Sequence, residues 1–175
     1  MSLRTAVVLL AIAGLTVLLP AESHAQVYAG ATFGAGGAQM PFNSDRSGFR
    51  GALRLYGGYE FNRHLAAEVM TLDLGTPRNR PTSTIGAFGV AVVGTLPVRR
   101  FRFTGRLGAM SMDGRAAGAE TKRAGQAMLG LGAGCAATER VTIGLETAVS
   151  RVEFGSPLND AARINWTAVG ASFRF

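Results

Sequence analysis

The sequence predicts an all-β chain folded as an antiparallel up-and-down transmembrane β-barrel of about eight strands. Three observations carry that expectation. The C-terminal stretch Trp166 to Phe175 alternates strictly, with Val169, Ala171, Phe173 and Phe175 on one face and Ala168, Gly170, Ser172 and Arg174 on the other. A period of two is a strand, and a strand running out on an aromatic needs a partner, which barrel closure supplies. Hydrophobic residues make up 47% of the chain alongside 24 glycines, so it is apolar yet too glycine-rich for spanning helices. A closed barrel is the remaining way to pair every backbone group inside a membrane. Finally, long and short connections alternate along the chain, as when tight turns close one end and loops the other.

Taken in order, the chain opens with Arg4, the apolar run Ala6 to Leu19, the breaker Pro20 and the small-residue site Ser23-His24-Ala25. That layout is a cleavable export signal, since the run falls short of the about 20 apolar residues a spanning helix needs. Cleavage after Ala25 is expected, leaving residues 26–175 as one outer-membrane barrel domain. Val27 to Ala35 reads as the first strand and Gly36 to Gly48 as a loop. Phe49 to Phe61 is the clearest strand: Phe49, Leu53, Leu55, Tyr59 and Phe61 point one way, Arg50, Arg54, Tyr56 and Glu60 the other. A barrel with a polar interior accommodates such arginines.

After the turn Asn62-Arg63-His64, a third strand runs from Leu65 to Leu74, with Ala67, Val69, Thr71 and Asp73 as a thin outward set. Gly75 to Ser83 is a loop, Thr84 to Leu96 a strand, and Pro97 to Arg100 a short turn. Phe101 to Met112 places Phe101, Phe103, Leu107 and Ala109 outward and Arg102, Thr104 and Arg106 inward. Asp113 to Ala124 reads as loop, Gly125 to Ala137 as strand, Thr138 to Arg140 as turn, Val141 to Val152 as strand and Glu153 to Arg163 as the last loop. Aromatics gather at the short-turn end: Tyr59, Phe61, Phe101, Phe103, Phe173 and Phe175 form an expected interfacial girdle. Phe33, Phe49, Trp166 and Phe154 are candidates for the opposite rim.

The net charge of +7 rests on arginine, with Lys122 the only lysine. The arginines are scattered and the chain carries an export signal, so no nucleic-acid partner is expected. Cys135 is single and reads as a small apolar strand residue. His64 sits in a short turn, outside strand reach of Ser150 and Ser156, so no catalysis is expected. The glycine runs around Gly34 and Gly130 lack the strand–helix context of a phosphate loop. No cofactor or metal is expected. Arg78, Arg80, Arg115, Lys122 and Arg123 fall in surface loops, where guanidinium forks suit the phosphates and carboxylates of lipopolysaccharide.

Gly57-Gly58-Tyr59-Glu60-Phe61-Asn62, then Glu68, then Asp73-Leu74-Gly75, resemble the second and third strands of the OmpA-like (outer-membrane protein A) transmembrane β-barrel. Gly94-Thr95-Leu96-Pro97, Gly105-Arg106-Leu107-Gly108 and Gly170 to Phe175 are similar to later strands of that family, so the resemblance spans about the whole mature chain. It implies a lumen network of opposite charges, matched in position by Glu68, Arg106 and Glu146. Thr32, Val92 and Gly144 stand where the family's first, fourth and seventh strands place basic groups, and Gly134 where the sixth carries an acid. Arg50, Arg54 and Arg102 are the candidates for the missing positive charge, and the expected network pairs Glu68 and Glu146 with Arg54 and Arg106. Phe173 and Phe175 are similar to the C-terminal signal read by the barrel-assembly machinery. The family's peptidoglycan-binding C-terminal domain is not expected here.

The resemblance and the faces together imply a monomeric outer-membrane protein in contact with lipid and lipopolysaccharide, serving envelope integrity or surface interaction. A narrow pore for ions or small polar solutes is the alternative. A soluble lipocalin-like binder would invert the faces, burying Leu53, Leu55 and Phe103 and exposing Arg54 and Arg106. Periodicity alone does not choose between the two orientations; the terminal Phe and the aromatic bands favour lipid outside.

Overall fold

The computed structural model describes residues 26–40, 43–74, 84–116, 119–120, 124–153 and 161–175. Eight long strands are present: β1 (Gln26–Met40), β2 (Asn43–Asn62), β3 (Leu65–Asp73), β4 (Thr84–Val98), β5 (Phe101–Ala116), β6 (Ala124–Ala136), β7 (Val141–Glu153) and β8 (Ala161–Arg174). Each pairs antiparallel with its neighbours in sequence, and β1 pairs with β8 from Tyr28↔Arg174 to Gln39↔Arg163. That last seam closes the eight long strands into a ring. Phe175 extends it, its N–H donating to Val27 O at 3.0 Å.

The short turns have side chains that hold them. Asn62 Oδ1 accepts from the N–H groups of His64 and Leu65 at 2.8 and 3.0 Å. Thr138 Oγ1 accepts from those of Arg140 and Val141 at 3.2 and 3.0 Å. These are Asx- and ST-type turns, in which a side-chain oxygen replaces a backbone partner. The turn between β4 and β5 is tighter than its sequence suggests: Pro97 and Val98 pair with Arg102 and Phe101. Arg99 and Arg100 alone reverse the chain, with Arg99 at φ 56°.

The loops expected from Gly, Ser and Asn content are partly strand. β1 continues to Met40 and β2 starts at Asn43, while β5 runs to Ala116 and pairs with the short strand Ala119–Glu120. β8 begins at Ala161, opposite Glu153. Ladder hydrogen bonds come from the backbone, so a polar or glycine-rich stretch carries the pairing past the apolar band although its composition reads as loop.

The faces divide as a membrane barrel requires. Leu107 and Leu131 are 65% and 62% exposed, and Leu53, Leu55, Phe88, Phe103, Leu145 and Val169 also point out. Arg54 and Glu68, each 2% exposed, point in. An apolar exterior around a charged interior overturns the lipocalin-like inversion, which needs the opposite. At the short-turn end, Tyr59 and Phe61 meet edge-to-face with centroids 5.1 Å apart, as do Phe173 and Phe175. Trp166 is no part of the opposite rim: it shares parity with Ala168 and Gly170, points into the lumen and is 2% exposed. Val92 is 55% exposed on the outer face. Ala91 and Val93 take the inner positions of β4 instead, so Val92 stands at no lumen position.

Candidate functional site in the barrel lumen

Alternation sends one residue in two inward, and the inward set is layered along the barrel axis. Nearest the short turns lie Glu60, Arg102 and Arg174. Arg102 Nη1 and Arg174 Nη2 both approach Glu60 Oε1, at 3.2 and 3.3 Å. The middle layer holds Arg54 from β2, Glu68 from β3, Arg106 from β5 and Glu146 from β7. Towards the long connections follows a mainly apolar layer that includes Trp166, Met70, Leu72, Met110, Met128 and Ile164, all buried, with the buried polar side chains Gln126 and Ser150 beside them.

In the middle layer the structure brings Arg54, Glu68, Arg106 and Glu146 together. Arg54 Nη2 donates to Glu68 Oε2 at 2.6 Å, and Arg54 Nη1 pairs with Glu146 Oε2. Arg106 Nε lies 3.2 Å from Glu68 Oε2 and its Nη1 3.5 Å from Glu146 Oε2. The remaining carboxylate oxygens are also met: Tyr28 OH donates to Glu68 Oε1 at 2.9 Å and Thr32 Oγ1 to Glu146 Oε1 at 2.8 Å. Arg54 Cζ sits 4.2 Å from the centroid of the Tyr56 ring, a cation–π distance. Two positive and two negative charges from four strands therefore alternate, and β1 adds the hydroxyls of Tyr28 and Thr32. Charges taken out of water need this degree of pairing, because a buried ion without its partner costs several kcal/mol.

Tyr28, Thr32 and Tyr56 complete this layer, and their sequence parity places them inward. What sequence does not give is reach across the lumen. The tyrosine rings fit because a glycine faces each of them across a strand pair. A Cβ on Gly58 would stand 2.4 Å from Tyr28 Cζ, and one on Gly30 the same distance from Tyr56 Cζ. Arg54, not Thr32, supplies the second positive charge of the layer, and Thr32 acts as a hydroxyl donor to the acid. Arg102 faces Glu60 instead. Arg50 lies in β2, but its side chain falls outside the described residues, as does that of Arg115 in β5. Arg78, Arg80, Lys122 and Arg123 lie outside them altogether, as do the export signal and Phe154.

A small cavity of about 10 Å³ separates the charged and apolar layers, between Arg54, Glu146, Met128 and Trp166. Arg54 Nε and Trp166 Nε1 are buried with no hydrogen-bond partner among the described residues. No cluster of three metal-ligating side chains occurs among the described residues. His64 sits in the exposed turn, with Nδ1 3.1 Å from Thr95 O.

Residues 6–175 match the family described as Outer membrane protein beta-barrel domain. The chain belongs to that family. Among solved structures, this outer-membrane barrel is similar to Neisserial surface protein A, at 15% identity and TM-score 0.68 over 87% of this chain and 100% of that one. It is also similar to Ail, the attachment invasion locus protein of Yersinia pestis, at 11% identity and TM-score 0.58 over 86% and 98%. A second Ail structure holds the heparin analogue sucrose octasulfate. The N-terminal β-barrel domain of Pseudomonas aeruginosa OprF matches at 10% identity and TM-score 0.54 over 83% and 97%. No curated protein matches the sequence significantly. At such identities the structural likeness speaks for the fold alone.

Proposed function

We propose that this protein is a closed structural barrel of the outer membrane that presents its long connections at the cell surface, with neither a catalytic nor a conducting role. The observation that carries this reading is the double occlusion of the lumen. The four-charge layer crosses the interior, and behind it the buried Trp166, Met70, Met110 and Met128 fill the section with apolar groups. An ion would have to separate paired charges and then enter a tightly packed, mainly apolar layer in which Gln126 and Ser150 are the buried polar side chains among those described, so most of its desolvation is unrepaid. Vesicles loaded with potassium and carrying the folded protein are expected to leak no faster than protein-free vesicles. Rapid efflux would favour the narrow-pore reading.

The remaining roles rest on the same architecture. The chain is exported through a signal cleaved after Ala25 and sits in the outer membrane as a monomer. Phe173 and Phe175, on the outward face of β8, serve as the signal read by the barrel-assembly machinery. Arg78, Arg80, Arg115, Lys122 and Arg123 contact lipopolysaccharide phosphates or another polyanion at the surface, a reading to which the heparin analogue bound by Ail lends support. Charge-neutral variants of these five residues are expected to lose binding to lipopolysaccharide-coated beads while the heat-dependent gel shift of a folded barrel persists. Incubation with lipid A is expected to leave its acyl chains intact by mass spectrometry, since no histidine reaches a serine nucleophile within the described strands.

A further inference from the structure

The inner faces of β6, β7 and β8 near the short turns carry small side chains, among them Gly134, Thr142, Gly144, Gly170 and Ser172. Across from them stand Arg102, Thr104 and Arg106 of β5. The mismatch in size leaves a cavity of about 70 Å³, where roughly 10–15 Å³ suffices for one water. The glycines beside it let the threonine side chains of its wall lie close to the backbone. A Cβ on Gly132 would come 2.6 Å from Thr104 Oγ1 and 3.2 Å from Arg106 Nη1, and one on Gly134 would come 2.8 Å from Thr142 Cγ2.

The charge around this cavity does not balance. In the middle layer the two arginines are offset by the two glutamates. Arg102, which lines the cavity, shares the carboxylate oxygen Glu60 Oε1 with Arg174 in the neighbouring layer, so two guanidinium groups face one acid beside it. The surplus positive charge lies in a partly buried setting, with the Arg102 side chain 22% exposed and that of Arg174 18%. A low-dielectric site with an uncompensated cation recruits a counter-ion.

We propose that the cavity binds one small inorganic anion, of the class of chloride or nitrate, entering from the short-turn end. Arg102 and Arg106, four residues apart on one face of β5, both line the cavity; Arg102 presents N–H donors to the anion, and Thr104, Thr142 and Ser172 offer hydroxyl donors. Glu146 is the one acid in the wall, and its charge is already met by Arg54 and Arg106. The bound anion then completes the neutralisation that Glu60 leaves half done.

Chloride-35 NMR linewidths test this on the full barrel folded in zwitterionic detergent, titrated with sodium chloride against a gluconate background. The wild type is expected to broaden the chloride line beyond detergent alone, and added nitrate to reverse the excess. Arg102→Gln is expected to weaken binding about tenfold through loss of a charge-assisted bond. Arg100→Gln, which removes the same charge from the exposed neighbouring turn, is expected to leave it unchanged. Gly134→Ala, which narrows the cavity and keeps every charge, is expected to weaken binding as well and stands in if Arg102→Gln fails to fold. Wild-type linewidths equal to those of detergent alone would overturn the proposal, leaving water in the cavity. So would an equal loss in Arg100→Gln, or unchanged binding in Gly134→Ala.

Discussion

Glu68 is the residue on which the middle layer turns, because both arginines and Tyr28 address its carboxylate. Glu68→Ala leaves Arg54 and Arg106 each short of a partner in a buried setting, and truncating one member of such a pair costs about 3–5 kcal/mol. Urea unfolding in lipid vesicles is expected to show a loss of that size, whereas a change below about 1 kcal/mol would mean water compensates the charges. A second residue-scale expectation concerns Gly58. Gly58→Ala places a methyl group where the Tyr28 ring lies, and the barrel is expected to lose stability through overpacking by about 1–3 kcal/mol. In a double-mutant cycle Tyr28→Ala should recover part of that loss; strictly additive effects would show that ring and glycine do not meet. The acidic and basic members of the layer were legible in the sequence from their inward parity. Their partners across the lumen were not, because cross-barrel distance depends on closure and stagger, which no local pattern records.

The strands were legible for a different reason. Alternation of apolar and polar residues pairs the faces from Phe49 to Phe61, from Phe101 to Met112 and along β7, and the membrane enforces it: a one-residue slip would turn Arg54 and Arg106 to lipid. Where alternation is diluted the reading fails in an understandable way. Gly36 to Gly48 looks like a loop because small and polar residues carry no face signal, yet β1 and β2 stay paired to Met40 and Asn43. Trp166 reads as a rim aromatic by residue type, but its parity places it inside. The outward assignment has a depth-dependent consequence. Leu107→Arg, midway along β5, is expected to cost about 2–4 kcal/mol, and Phe101→Arg, beside the turn, only about 0–1 kcal/mol. Equal costs at the two positions, measured by refolding into vesicles, would contradict the lipid-facing assignment of β5.

For the whole molecule, a ring of eight strands leaves an interior that side chains fill, and this one is filled by layers of different chemistry. Charge lies nearest the short turns, a neutralised network lies in the middle, and apolar groups lie beyond. Removing one layer leaves the other in place, so Glu68→Ala alone is expected to destabilise the barrel without opening it. Removing both, with Glu68→Ala and Trp166→Ala together, breaches two barriers in series. The family and the fold do not separate a closed barrel from a narrow pore; the layering of this lumen supports the closed reading proposed above. Single-channel recording in planar bilayers tests it most directly. The wild type and Glu68→Ala are expected to show no conductance steps, and the double variant to show them. Discrete steps from the wild type at modest voltage would contradict the closed lumen.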